Sequence, residues 1–518
     1  MNFFGLDLST AHSTEYYSYI GTGSTPTTTS SAPAATQTKE TPVPVTSSKS
    51  SAPTKRICVV GAGPAGLAAL KAISETPYFT SGSWNIIAYE ARSKVGGVWF
   101  PAPPIDNPPI TPMYDSLTTN LPHPVMGYTS YSFPPSTPLF PVAATVQTYL
   151  ESYASHFNLL PLIRFNTTVI SAVWSDSYWK VTVSTNETLE FDHLIIANGH
   201  YRLPRIPDIP GLEQWLATGK AFHSAWYRKP QDYGYKVLVV GAGPSGTDIA
   251  TEMRSHASTV IHSVTGGTSE GDESFKIRGR PLQFYEDGRV LFEGNIAEDN
   301  VDHCILATGF QIDFPFFDDN IIKIGQVPPH PPLPPDLYNS TYHVFPLAKF
   351  LFPLQSHYPA SSVAFMALLF RVAPLPLAEA QAQAIIRAFA DPSSLDVKQE
   401  METVLSRSQK LADEGASTPL QLAKIWFRFT EEEQWGLRDE LFEYAAEGGH
   451  CPAIKVTQWE KEIYQEKNLM REAWRDLESM GESQKWVDGV GEHGLQEWVD
   501  MMYRVLKYGQ GVDRGSKL

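Results

Sequence analysis

Short all-apolar runs alternate with stretches whose apolar positions recur at helical spacing, and this alternation predicts β-α-β units with parallel strands. The clearest unit runs from an apolar strand at 56–60, through a glycine turn, to a helix at 65–74 and a second strand at 84–89 ending on Glu90. A second unit has the same plan: an apolar run at 237–240, a glycine turn, a helix at 247–256 and a strand at 259–262. The turns read VVGAGPAG at 59–66 and VVGAGPSG at 239–246.

A further repeat follows each unit. FDHLIIANG at 191–199 parallels VDHCILATG at 301–309, and a hairpin-like stretch precedes each copy, the later one turning at Asp287-Gly288. Both copies end in small residues, Gly199 in one and Thr308-Gly309 in the other, where backbone can pass close to a ligand. The fold class expected is α/β, with two Rossmann-like dinucleotide-binding domains of the FAD/NAD(P) type and a helical C-terminal extension. The boundaries expected are a disordered leader at 1–54, a discontinuous first domain at 55–205 and 305–391, a second domain at 206–304, and the extension at 392–518. The leader is rich in Thr, Ser, Pro and Ala and cannot bury enough surface to offset its chain entropy. The extension carries six tryptophans among Glu and Lys, expected to be mostly core residues.

The glycine turns bring chemistry into the picture. Gly61 and Gly241 make the tight turn, Gly63 and Gly243 let backbone approach a pyrophosphate, and Gly66 and Gly246 let helix and strand pack closely. Pro64, Ala65 and Ser245 open the helices whose unpaired N–H groups would receive phosphate oxygens. Glu90 is placed to accept hydrogen bonds from a ribose 2′-hydroxyl, which suits an unphosphorylated dinucleotide such as FAD. The second unit has no acid at the corresponding tip, His262-Ser263-Val264, which favours NADPH over NADH. Ser263, with Lys276, Arg278 or Arg280, is the expected 2′-phosphate site.

Composition narrows the classes. The chain has 518 residues, 42% hydrophobic and 12% aromatic, which fits a multidomain globular enzyme. A net charge of −16 without a long basic run argues against nucleic acid. Three scattered cysteines form no CxxC pair, so neither a structural metal nor a redox disulfide is expected, and a reducing compartment is implied. The first 38 residues contain no Lys or Arg and no apolar h-region follows. The most apolar stretch, 363–377, is interrupted by Arg371, Pro374 and Pro376, so no membrane span is expected. Ser516-Lys517-Leu518, where it is the free C-terminus, reads as a peroxisomal address, with an import receptor as partner.

Residues 55–391 resemble the flavin-containing monooxygenases, most closely the fungal members of class B. The resemblance rests on GAGPAG, on EARSKVGGVW at 90–99, on YDSLTTNLP at 114–122, on Ala307-Thr308-Gly309-Phe310 and on FHSAWY at 222–227. The last element fits the family's F-x-G-x-x-x-H-x-x-x-[FY] pattern at Gly219, His223 and Tyr227 and departs from it at Ala217. The resemblance implies FAD and NADPH as cofactors and O2 with a small molecule as substrates. It implies insertion of one oxygen atom into a soft N or S centre through a C4a-hydroperoxyflavin, with Baeyer–Villiger oxygenation of a ketone as the alternative; Tyr227 favours the former. It also implies that Asn120 is the catalytic asparagine beside flavin and nicotinamide. Gly97 and Val98 would then flank the flavin, Trp99 stand near its ring, and Gln381 and Gln383 neighbour it. The extension could cover the site, pair two copies as a homodimer, or present the tail.

Overall fold

Two five-stranded parallel sheets, one from each glycine-turn unit, organise the computed structural model, which describes residues 54–267, 271–328 and 330–511. The first sheet runs in the order Val363–Phe365, His193–Ile196, Lys55–Val60, Trp84–Tyr89, Ile163–Arg164. The second runs Phe275–Arg278, Thr259–Ser263, Lys236–Val240, His303–Leu306, Ala221–His223. Their central strands are apolar and buried on both faces, as sheets with covered faces require. In each unit a three-stranded antiparallel meander leads into a strand of the parallel sheet: Val169–Ser175, Tyr178–Val183 and Thr188–Phe191 before His193–Ile196, and Pro281–Phe284, Val290–Phe292 and Ile296–Glu298 before His303–Leu306. The internal repeat is therefore architectural, and each hairpin read from the sequence gains a third strand.

The crossovers between the sheets lie side by side. Leu203–Pro204 pairs antiparallel with Phe310–Gln311, joined by Phe310 to Pro204 and Gln311 to Leu203. This corrects the second boundary. His303–Leu306 belongs wholly to the second sheet, so the chain returns to the first domain after Ala307, not at 305.

Helix Pro64–Ser74 is short of large side chains at Ala65, Gly66, Ala68, Ala69 and Ala72, which lets it sit close to helix Pro374–Ala390. From there the extension folds as further helices, among them Val397–Asp413, Glu431–Glu447, Gln458–Gln465, Lys467–Ser479 and Leu495–Gly509. Reciprocal capping boxes start three of the extension's helices, at Thr418, Thr430 and Thr457. Trp426, Trp435, Trp474 and Trp498 are buried in a core continuous with that of the first domain. Trp498 meets the His123 ring edge-on at 4.3 Å. The expected leader, except Thr54, and the tripeptide Ser516-Lys517-Leu518 lie outside the described residues. No described helix is long and apolar enough to cross a membrane.

Candidate functional site

The first glycine turn is built by backbone that leaves no room for side chains. Gly61 has φ +100°, and a Cβ there would stand 2.6 Å from the Ala197 carbonyl oxygen. At Gly66 a Cβ would collide with the Gly61 carbonyl, so helix and turn touch through bare backbone. Gly63 caps helix Pro64–Ser74 with no side-chain bond, so the N–H groups of Ala65 and Gly66 remain for a ligand. A second loop closes over this end. The turn Gly97–Trp99 brings Gly97 against Gly63, where a Cβ on Gly97 would stand 2.9 Å from the Gly63 Cα. Arg92 fixes that loop from below, donating to the carbonyls of Gly97 (3.0 Å) and Pro101 (2.8 Å). Thr111 donates to the Val98 carbonyl at 2.6 Å, and Val98 and Trp99 stay half-buried.

Glu90 lies where expected, at the tip of Trp84–Tyr89. Its carboxylate accepts from the N–H of Ala62 (2.8 Å) and of Arg92 (2.9 Å), which aims it at the glycine turn. Burial pushes its pKa up, and those two N–H groups with the Arg92 charge pull against that rise.

The second turn repeats the construction with an open face. A Cβ on Gly241 would collide with the Ala307 carbonyl and one on Gly246 with the Gly241 carbonyl, but Gly243 faces open space. Ala242, Gly243 and Pro244 are exposed and Ser245 is half-buried on the first turn of helix Pro244–Met253.

Strand register corrects the expected phosphate site. Val60 pairs with Tyr89, and Val240 pairs with Ser263, so Ser263 corresponds to Tyr89 and the true counterpart of Glu90 is Val264. Ser263 is 2% exposed and donates to the Gly279 carbonyl at 2.8 Å, turned into the fold. Lys276 (3.1 Å) and Arg278 (2.5 Å), together with Lys236, converge on Glu298, and Arg280 pairs with Glu293. Exposed Thr265 and Gly266 follow Val264 instead. The absence of an acid at the tip stands.

Gly199 and Gly309 lie just past the strands His193–Ile196 and His303–Leu306, ahead of and at the paired crossovers that join the two units. Both are exposed at positive φ, and among the described residues nothing lies within 4 Å of a built Cβ. His223 ties this edge together. Its Nδ1 accepts from the Ala225 N–H (3.1 Å), so the ring is the Nε2–H tautomer and donates to the Gly309 carbonyl (3.0 Å). Thr308 commits its hydroxyl proton to the Arg205 carbonyl at 2.6 Å, so it clamps the crossover. Burial lowers the His223 pKa to about 4, against 6.5 for a free imidazole. The sign follows. Between those values the unfolded chain takes up a proton that the folded one refuses, so stability is full above pH 6.5 and is lost as pH falls towards 4. The loss expected is on the order of 3 kcal/mol for this group. Urea midpoints at pH 5 and 7.5 measure it, and His223→Gln should narrow the gap between them.

Asn120 follows buried Thr119, whose Oγ1 donates to the Leu121 carbonyl. The Asn120 side chain is exposed and its amide makes no hydrogen bond among the described residues, so both donor and acceptor are free. Gln381 is fully buried, and its Oε1 accepts from the Ala367 N–H, fixing backbone at φ +57°. Gln383 is half-buried on the rim of a cavity with Glu379 and His450. Cys58 and Cys304 are buried thiols whose pKa burial pushes up, in keeping with an inert role.

Several functional contacts had no local signal. Tyr114 donates to Asp248 of helix Pro244–Met253 at 2.8 Å, and Arg471 and Arg475 of the extension reach the same carboxylate. Ser116 and Tyr227 both donate to Glu252 one turn on. Tyr227, read from the sequence as a branch marker, thus holds Glu252 from within the second unit, and Ser116 reaches the same carboxylate from the first.

The residues fit two dinucleotides. Each cradle is lined by glycines whose Cβ atoms would strike backbone, each offers unspent N–H groups at a helix start, and only the first has an acid at its ribose position. The comparisons agree. The family described as "Flavin-binding monooxygenase-like" matches residues 54–270 and 272–424, extending past residue 391 into the helices. A flavin-containing monooxygenase of Arabidopsis thaliana, FMO GS-OX5, is 29% identical over 59% of this chain and 73% of its own. The thiol-specific monooxygenase of Saccharomyces cerevisiae is 32% identical over 52% of this chain and 63% of its own. Among solved structures, S-allyl-L-cysteine S-oxygenase from Allium sativum superposes with a TM-score of 0.66 at 22% identity, over 88% of this chain and 99% of that one. With cradles, linking edge and matched length all in agreement, the chain belongs to the flavin-binding monooxygenase-like family.

Proposed function

We propose that this protein is a monooxygenase that uses FAD, NADPH and O2 to place one oxygen atom on a soft sulfur or nitrogen centre of a small molecule, releasing NADP⁺ and water. The observation that carries it is the pair of glycine cradles at the carboxyl ends of two parallel sheets, joined where Leu203–Pro204 pairs with Phe310–Gln311. FAD and NADPH supply the hydride and oxygen chemistry when bound. The protein's own residues bind and orient. Gly61, Gly63, Ala65 and Gly66 hold the flavin diphosphate, Glu90 its ribose, and Gly97 shuts the cradle. Gly241, Gly243, Ser245 and Gly246 hold the nicotinamide dinucleotide, with no acid at Val264 to repel a 2′-phosphate. Asn120 offers a free amide to the reacting region.

The names of the yeast and Allium relatives, a thiol-specific monooxygenase and an S-oxygenase, support the heteroatom reading over ketone oxygenation. Product analysis with a thioether and a cyclic ketone separates the two: sulfoxide is expected, and a lactone as main product would overturn the choice. Asn120→Ala is expected to keep full FAD content while NADPH is consumed without matching product; unchanged coupling would remove Asn120 from the site. Where Ser516-Lys517-Leu518 is the free C-terminus, a peroxisomal import receptor completes the list of partners, and a second copy of the chain is a further one, read by sedimentation.

A further inference from the structure

The edge bearing Gly199 and Gly309 continues into a patch that the cofactor cradles do not use. Arg205, on the first crossover, lays its guanidinium 3.6 Å from the centre of the Tyr342 ring, and Lys424 approaches the same ring at 5.3 Å. Arg205 is held there by the carbonyls of Thr341 (2.7 Å) and Phe310 (3.2 Å). Exposed Arg371 and Arg428 join them, linked by a bridge between Phe370 and Arg428. Burial first, then the charge of Arg371, lowers the pKa of Arg428; burial chiefly, and Arg428 in part, lowers that of Arg205. None of these four cations has a carboxylate ion pair among the described residues. In a chain of net charge −16 that is unusual, and Lys236, Lys276 and Arg278 show the alternative by sharing Glu298.

The floor of the patch is aromatic. Tyr201, 44% exposed, meets Phe310 edge-on at 5.9 Å, and the His200 ring lies 4.3 Å from Tyr201 and 4.9 Å from Phe370. His200 is 6% exposed, yet among the described residues neither ring nitrogen has a hydrogen-bond partner. Buried polar atoms are rarely left unpaired, so a donor and an acceptor here await a ligand or a water.

We propose that Arg371 and Arg428, with Arg205 and Lys424 behind them, bind a carboxylate on the molecule being oxygenated, so that the substrate class is small anionic thioethers or amines. This rests on the monooxygenase reading above. A guanidinium fork matches a carboxylate, and the aromatic floor takes the apolar remainder of such a molecule.

The test uses the FAD-loaded, full-length enzyme with saturating NADPH and two probes, 3-(methylthio)propanoate and its methyl ester. The acid is expected to have a kcat/KM at least about tenfold above the ester, in line with a charge-assisted hydrogen bond. Added salt should erode that preference, and Arg371→Gln/Arg428→Gln should abolish it. Equal rates for acid and ester, or a preference that survives the double substitution, would overturn the proposal. So would a rise in KM for NADPH that is the same with either probe, since the anion bound would then be the dinucleotide's phosphate. If neither probe is oxygenated the reaction reading fails, and calorimetric titration of the acid into the FAD-loaded protein decides the patch separately: binding lost in the double variant supports it, and no binding to the unaltered protein ends it.

Discussion

Gly246→Ala is expected to give a yellow, flavin-loaded protein that NADPH reduces about a hundredfold more slowly, a deficit of roughly 2.7 kcal/mol. The added methyl would meet the Gly241 carbonyl oxygen and, at 2.9 Å, its carbon, and backbone atoms cannot swing aside as a side-chain tip can. Relief requires helix Pro244–Met253 to move off its turn, which disperses the N–H groups that should grip the dinucleotide phosphates. The matching change in the other unit, Gly66→Ala, meets the Gly61 carbonyl in the same way and is expected to give colourless protein. Flavin absorbance per chain and anaerobic stopped-flow bleaching with NADPH read the two effects apart. Full flavin in Gly66→Ala together with normal bleaching in Gly246→Ala would mean that neither turn holds a cofactor.

The second large effect is on stability. Arg438, 3% exposed on helix Glu431–Glu447, donates to Glu460 at 2.6 Å, and Glu460 is itself 8% exposed. The other Glu460 oxygen caps helix Gln458–Gln465 through the N–H and hydroxyl of Thr457, at 3.0 and 2.7 Å. Arg438→Met leaves a carboxylate buried without its counter-charge and should cost about 3–5 kcal/mol. Adding Glu460→Gln removes the stranded charge while a glutamine can still cap, so the double variant should recover much of the loss. Denaturant midpoints of the three proteins check this; a single variant within 1 kcal/mol of the parent (an ordinary surface-substitution effect) would show the pair to be solvated.

Much of the scaffold was legible because its determinants are local. The glycine turns, the apolar strands before them and Glu90 at a strand tip each follow from a few neighbouring residues, and the fold places them as expected. What was missed depends on long-range placement. The Ser263 expectation failed by one residue, and along a strand one residue separates a side chain facing in from one facing out; His262-Ser263-Val264 contains nothing to set that register, which comes from pairing with Lys236–Val240. The end of the family-like region at 391 was set by motifs, whereas the core runs on through Trp426, Trp474 and Trp498. Contacts such as Arg471 to Asp248, or the gathering of Arg205, Arg371 and Arg428, join segments remote in the chain and leave no local trace.

The paired crossovers have a consequence of their own. Because Leu203–Pro204 and Phe310–Gln311 run alongside each other, the polypeptide departs and comes back through one doorway. Everything between carries its own sheet, meander and apolar centre and is tied to the rest of the chain at Asp248 and Glu252. Splicing the doorposts with a short bridge should therefore yield a miniature that still turns yellow with FAD but no longer answers to NADPH.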